Sequence, residues 1–130
     1  MIFIAASLPR ILEARRLRDQ LVGRGFIVRA RWLDDRAAVE GARRGTLQYV
    51  TDDEHMQYWA GVDFEDVLHC ATLIQITGDN ETRGGRHSEF GGALATGKRV
   101  ILLGPREQIY HWHHAVRVAT DLLSLLEILK

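Results

Sequence analysis

Short apolar runs that alternate with amphipathic helical segments constrain the fold of this chain more than any other feature. The apolar runs predict strands at 2–6, 26–33, 72–77, 99–104 and 116–119. Apolar spacing and capping residues predict helices at 9–21, 51–69, 88–96 and from 121 onward. Residues 37–45 are interpreted as a connector. Strands that alternate with helices indicate a parallel sheet covered on both faces, because right-handed crossovers place the helices there.

The predicted fold is an α/β flavodoxin-like or Rossmann-like three-layer sandwich, with about five parallel strands in the order 2-1-3-4-5. A length of 130 residues, 46% of them hydrophobic, suits one domain, so 1–130 is expected to be a single unit. In that strand order the first and third strands are neighbours, and a crevice opens at their carboxyl ends. The loops exposed there are 6–10 and 78–89, which are rich in Gly, Ser, Arg and His.

Charge and hydropathy exclude several classes of partner. Seventeen Lys and Arg residues balance seventeen Asp and Glu residues, so the overall charge does not favour a nucleic acid polymer. The apolar runs fall far short of the roughly 18 to 20 residues that span a bilayer, so no membrane partner is expected. The N-terminus lacks the pattern of a secretory signal, and the single cysteine, Cys70, cannot form an internal disulfide. These features favour a cytoplasmic protein.

The segment 82–94 carries the most distinctive chemistry. Gly84 and Gly85 precede a predicted helix start, where main-chain amides can hold a polar ligand, and Glu89 is expected in the first turn of that helix. Three basic side chains are close in sequence: Arg83, Arg86 and His87. Together with the positive helix end, they are expected to keep Glu89 ionised at neutral pH and usable as a nucleophile. An alternative interpretation treats Glu89 as an ordinary helix-terminal charge and the glycines as turn residues.

The run GGRHSEFGGALATGKRVILLG at 84–104 resembles the signature of the nucleoside 2-deoxyribosyltransferase family. In that family a Gly-rich loop precedes a Glu, then a Gly, a small helix, Gly-Lys and an apolar strand. The resemblance extends to IFIAAS at 2–7, to WAGVDFEDVLHCATLIQIT at 59–77 and to EQIYHWHH at 107–114.

The resemblance implies cleavage of the N-glycosidic bond of a 2'-deoxyribonucleoside or its 5'-monophosphate, with Glu89 as nucleophile and no cofactor or metal. Asp63 matches the family's upstream Asp and would serve the departing base as acid, although Asp66, one helical turn further on, is an alternative. The chemistry is reasonable in itself. A sugar carbon that loses its base gains oxocarbenium character, which a fixed carboxylate stabilises and then traps covalently.

Substrate binding is expected from the polar position after the first strand, Ser7, and from the loop before Glu89. The loop residues are Arg83, Gly84, Gly85, Arg86, His87 and Ser88. The chain lacks the Asp that the transferase branch carries shortly before its nucleophile, and it has Ala71-Thr72 where the family often has Ala-Asp. Arginine in this loop favours a phosphate, through paired hydrogen-bond donors. The departures therefore favour a nucleotide N-hydrolase.

Three other functions stay open: a deoxyribosyltransferase that exchanges bases at the same site, a TIR-like NAD glycohydrolase, and a non-catalytic nucleotide-binding protein. A metal site at His111, His113 and His114 is not favoured, because no second cysteine exists to complete it. This segment is instead expected to form a pocket wall or a subunit contact. The leucine-rich last helix predicts a homo-oligomer, a dimer or larger.

Overall fold

Four parallel strands form the central sheet in the computed structural model, which describes residues 1–48, 52–78 and 84–130. The strands are β1 (Ile2–Ala5), β2 (Thr72–Ile76), β3 (Arg99–Leu103) and β4 (Val116–Ala119), in the order β1-β2-β3-β4. The helices are α1 (Ile11–Val22), α2 (Arg36–Arg44), α3 (Asp53–His69), α4 (Gly85–Ala95) and α5 (Leu122–Leu129). Short 3₁₀ turns span Leu8–Arg10, Arg31–Asp34 and Ile109–Trp112. The predicted α/β class with a parallel sheet is confirmed.

Helices cover both faces of this sheet. Successive side chains of a strand point to opposite faces, so Thr72 and Gln75 of β2 lie on different sides. Gln75 contacts His87 on α4, whereas Thr72 accepts a hydrogen bond from Arg99, whose guanidinium also reaches the Ile128 carbonyl on α5. Helices α4 and α5 therefore lie on opposite faces. Both β1 and β2 are buried along their whole length, as expected for the middle layer of a Rossmann-like sandwich.

The predicted strand at 26–33 is wrong. Its beginning does run parallel to β1, but only one bridge forms, between Ile2 and Val28. The chain then leaves the sheet, because Arg29 and Arg31 turn toward α3 and bind the buried carboxylate of Asp66. The sheet therefore has four strands in the described residues rather than about five. The Ile2–Val28 bridge lies on the side of β1 where the predicted order 2-1-3-4-5 places the second strand.

The side chain of Trp32 replaces part of the missing strand. Its indole Nε1 donates a buried hydrogen bond of 2.8 Å to the carbonyl of Ile4 on β1. A buried carbonyl at a sheet edge needs such a donor, since no neighbouring main chain supplies one there. The apolar run at 26–33 is therefore a core segment of irregular structure.

Local capping explains the helix boundaries. The interpretation of 37–45 as a connector is wrong, because the Asp35 side chain accepts from the Ala38 N–H and opens α2, which ends at a left-handed Gly45. Helix α3 begins after Asp52, whose carboxylate accepts from the His55 N–H. The predicted cap residue Thr51 lies outside the described residues. In the part of the chain that is described, no helix is long and apolar enough to cross a membrane.

Candidate active site

A cavity of about 210 Å³ lies between α3 and the first half of α4. Two carboxyl side chains line it, Asp63 from α3 and Glu89 from α4. The other walls are Trp32, Ala60, Phe64, Gly85, Arg86 and Ser88. Two acidic groups from separate helices, part of the Gly-rich loop and an aromatic wall thus meet at one place.

Helices α3 and α4 pack against each other at Gly92. A Cβ atom there would lie 3.5 Å from Phe64 Cε1 and 4.0 Å from Val67 Cγ1, already in van der Waals contact with α3. Gly92 lies three residues after Glu89 on the same face of α4, and Phe64 follows Asp63 on α3. The contact between α3 and α4 at Gly92 therefore lies beside the turns that carry the two carboxyl groups.

The start of α4 differs from the predicted start at residue 88. Gly84 adopts a left-handed conformation, with φ of 87°, and the helix begins at Gly85. Glu89 is consequently in the second turn, and the first turn contains no acidic residue. The prediction of a first-turn carboxylate is wrong. The positive helix end acts mainly within the first turn, so it stabilises an ionised Glu89 only weakly.

The prediction that Glu89 is readily ionised is also wrong. Burial, and secondarily the negative charge of Asp63, raise the pKa of Glu89 well above its usual value. Arg86 does not offset this effect, because its guanidinium forms an ion pair with Glu107. The protonated form of Glu89 is therefore favoured more strongly than its sequence neighbours suggest.

Asp63 carries a second perturbed carboxyl group. Burial raises the pKa of Asp63 to about 7, and the negative charges of Asp66 and Asp35 contribute, while Arg31 opposes them. Its Oδ1 atom is buried and has no hydrogen-bond partner among the described residues. A buried carboxylate oxygen without a donor is costly, so this carboxyl group is suited to hold a proton near neutral pH.

Asp66 has the opposite environment. Its fully buried carboxylate accepts hydrogen bonds from Arg29 Nε at 2.7 Å and from the Arg31 N–H at 2.9 Å, and it pairs with Arg31 Nη2 at 2.8 Å. Burial alone would raise the pKa of Asp66, but the hydrogen bonds from Arg31 and Arg29 outweigh burial and lower it. Asp66 therefore joins α3 to Arg29 and Arg31, at the start of the 3₁₀ turn Arg31–Asp34, whereas Asp63 faces the cavity.

The predicted substrate-binding residues separate into several groups. Gly85, Arg86 and Ser88 line the cavity beside Glu89. Arg86 is 3% exposed, and the carboxylate of Glu107 balances its charge. Phosphate binding by Arg86 stays a prediction.

Three other predicted binding residues, Ser7, Gly84 and His87, do not line this cavity. Ser7 is buried at the carboxyl end of β1, and its side chain does not cap the following 3₁₀ turn. Gly84 caps α4, and His87 lies on the opposite side of that helix start, where it lines a larger cavity. Arg83 lies outside the described residues.

The larger cavity, of about 740 Å³, lies on the other side of Ser88, which lines both. Its walls are mostly apolar and aromatic, with a few polar groups. They comprise His87, Ser88, Phe90, Gly91, Leu94, Ala95, Gln108, Tyr110 and His113. The segment 110–114 was expected to form a pocket wall or a subunit contact. Tyr110 and His113 line this larger cavity rather than the one that contains Asp63 and Glu89, and His111 is fully buried.

Two polar residues of this region escaped the sequence reasoning. Glu107 holds Arg86, and its Oε2 also accepts a hydrogen bond from the Gly78 N–H at 3.3 Å. Gln75 lies fully buried in the central strand β2. The available signal for Gln75 was one amide inside the apolar run 72–77, since a buried amide needs hydrogen-bond partners from elsewhere in the fold.

No group of three or more His, Cys, Asp or Glu side chains is placed to hold a metal ion within residues 1–48, 52–78 and 84–130. Comparisons with protein-family models and with curated proteins find no match to this chain.

Proposed function

We propose that the protein hydrolyses the N-glycosidic bond of a 2'-deoxyribonucleoside 5'-monophosphate through a covalent glycosyl intermediate on Glu89. The observation that carries this proposal is the pair of carboxyl groups, Asp63 and Glu89, in one small cavity with both pKa values raised. Coupled carboxyl groups of this kind retain one proton between them near neutral pH. One member is then available as nucleophile while the other acts as acid.

In the first step, a carboxylate oxygen of Glu89 attacks the anomeric carbon of the sugar. The bond from that carbon to the base nitrogen breaks, and its electron pair goes to the base. Asp63 donates its proton to the base and becomes a carboxylate. This division of roles requires the shared proton to lie on Asp63, although burial and the charge of Asp63 favour the protonated form of Glu89 in the free protein.

In the second step, water attacks the anomeric carbon and displaces Glu89. Asp63 accepts the proton of that water, and both carboxyl groups return to their initial state. If a second base attacks instead of water, the product is a deoxynucleoside 5'-monophosphate with a new base rather than deoxyribose 5-phosphate. Hydrolase and transferase activity therefore share every protein group in this scheme and differ only in the nucleophile of the second step.

The start of α4 supports a phosphate-bearing substrate. Gly84 and Gly85 have no side chains, so an anion can approach the main-chain N–H groups of the first helical turn. Ser88 adds a hydroxyl at the edge of the same cavity. These features favour the monophosphate over the nucleoside, in agreement with the arginine-rich loop on which the sequence prediction relied.

The test is to incubate the purified protein with each deoxynucleoside and each deoxynucleoside 5'-monophosphate and to measure free base by chromatography. We expect base release from a monophosphate and at least about a 10³-fold loss of rate in Glu89→Gln, by analogy with other nucleophile removals. Glu127→Gln is the matched control, because Glu127 is an exposed glutamate that pairs only with Lys130 at the chain's end, among the described residues.

Mass spectrometry of the quenched reaction should detect a deoxyribosyl phosphate adduct on Glu89. Full activity in Glu89→Gln would refute the mechanism. Base exchange without release would assign the protein as a transferase, and the absence of turnover with every substrate would favour a nucleotide-binding protein.

A further inference from the structure

Positive charge is concentrated in the N-terminal part of the chain, although the whole chain is neutral. Residues 1–48 contain ten arginines and no lysine, against five Asp and Glu residues. Helices α1 and α2 and the 3₁₀ turn Arg31–Asp34 between them belong to this part. They enclose a cavity of about 220 Å³, here called the arginine cavity. Its lining residues are Arg15, Asp34, Arg36, Val39, Glu40 and Arg43.

Two arginines of α1 share the carboxylate of Asp34. Its Oδ1 lies 3.3 Å from Arg15 Nη1 and 2.9 Å from Arg18 Nη1. Arg15 also donates to the Leu33 carbonyl, and Arg18 also pairs with Asp19. The side chains of Arg15 and Arg18 are only 25% and 18% exposed. Their guanidinium groups are therefore held in place before any ligand binds, which lowers the entropic cost of binding.

Helix α2 adds further guanidinium groups. Glu40 lies 3.3 Å from Arg43 Nη1 and 3.7 Å from Arg44 Nη2. Arg36, the first residue of α2, lines the cavity and forms no hydrogen bond or ion pair with any residue that the structure describes. The Asp35 carboxylate caps α2 and does not line the cavity.

The protein itself does not balance the positive charge around the arginine cavity. Five guanidinium groups line the cavity or pair with its two carboxylates, and they outnumber the carboxylates there even when Asp19 and Asp35 are counted. Converging charges of one sign repel each other, and a bound anion relieves that repulsion. The planar fork of donors on each guanidinium matches the oxygens of a phosphate group better than a lysine would.

We propose that the arginine cavity binds a phosphate group through the guanidinium groups of Arg15, Arg36 and Arg43. This site is separate from the candidate active site, because the 3₁₀ turn places Trp32 in the wall of the latter and Asp34 in the wall of the arginine cavity. The proposal therefore does not depend on the proposed hydrolase activity, and either can fail without the other.

The test is a titration of the full-length protein with inorganic phosphate, followed by ¹H–¹⁵N correlation spectra that include the arginine Nε–H groups. We expect saturable shifts at Arg15, Arg36 and Arg43, which sodium chloride at the same ionic strength does not reproduce. Glycerol 3-phosphate is titrated in parallel. Tighter binding than inorganic phosphate assigns the site to a phosphorylated molecule, and equal or weaker binding assigns it to the free ion.

Arg36→Gln removes a guanidinium group that has no partner among the described residues, so the fold should stay intact while the Kd for phosphate rises about tenfold. Arg16→Gln is the matched control, because Arg16 is an exposed arginine of α1 that does not line the cavity. It should change the Kd by less than about twofold, since solvent and salt screen a distant surface charge. Equal weakening by the two variants would overturn the proposal. So would a wild-type protein whose lining arginines show no saturable shift, or the same shift with sodium chloride alone.

Discussion

Replacing Asp63 by Asn should make the protein more stable at alkaline pH, although the substitution removes a charged residue from the candidate site. The pKa of Asp63 rises from the usual 3.8 to about 7 in the folded chain. Below about pH 4 the carboxyl group is protonated in both the folded and unfolded states, so it does not affect stability. Between pH 4 and 7 the unfolded chain releases this proton while the folded chain retains it, and the free energy of unfolding falls.

The magnitude follows from the same values. A tenfold change in an ionisation constant corresponds to about 1.4 kcal/mol, so the full penalty above pH 7 is about 4 kcal/mol. Asp63 keeps partial contact with solvent, which reduces the expected value to about 2–4 kcal/mol. Asp63→Asn should therefore exceed the wild type in stability by that amount at pH 8, and the two proteins should be alike near pH 4.

Urea unfolding at several pH values between 4 and 8, followed by circular dichroism, measures this difference. Asp66→Asn is the matched control, one turn further along α3. The lowered pKa of Asp66 stabilises the fold above the unfolded pKa, and its loss leaves the guanidinium groups of Arg29 and Arg31 without their buried acceptor. Because Arg29 and Arg31 are partly exposed and also pair with Glu65, we expect that variant to lose about 1–3 kcal/mol at pH 8. A destabilised Asp63→Asn with the wild-type pH dependence would refute this assignment of the two carboxyl groups.

Two further predictions concern packing and assembly. Trp32→Phe keeps the aromatic bulk but leaves the buried Ile4 carbonyl without its donor. The free energy of unfolding, measured with urea, should therefore fall by about 1–3 kcal/mol. An unchanged urea midpoint would contradict the role of the indole at the sheet edge. The homo-oligomer stays a prediction: Leu123 (72%), Ile109 (77%) and Trp112 (63%) are exposed apolar side chains that a subunit contact would bury. We expect sedimentation velocity at micromolar concentration to detect a dimer or larger species, and a monomer would contradict this expectation.

The two carboxyl groups of the candidate site have a simple structural origin. Neighbouring helices on one face of the sheet meet at Gly92, and each contributes one acid to the same cavity. Burial is the main reason that both pKa values rise, and among the described residues neither acid forms ion pairs like those of Asp66. Asp63 and Asp66 lie one helical turn apart on α3. Their pKa values differ because Asp66 pairs with Arg29 and Arg31, whereas Asp63 faces the cavity.

Local sequence patterns were sufficient for much of the fold. Apolar runs such as 72–77 and 99–104 predicted buried parallel strands, because burial on both faces requires continuous apolar side chains. The Gly84-Gly85 pair indicated that a helix start is near, although the predicted start at residue 88 is three residues later than the observed start at Gly85. These features depend on the conformational preferences of residues that are close in sequence, so the sequence alone is enough to predict them.

Tertiary contacts decided the rest. The segment 26–33 has strand-like composition, but the attraction of Arg29 and Arg31 for a buried Asp66 drew it away from the sheet. Neighbours in sequence suggested an ionised Glu89, yet burial beside Asp63 and the pairing of Arg86 with Glu107 reversed the expected direction. Desolvation and charge pairing depend on distances in space between residues far apart in the chain, so a single sequence identifies the candidate groups but not their protonation states.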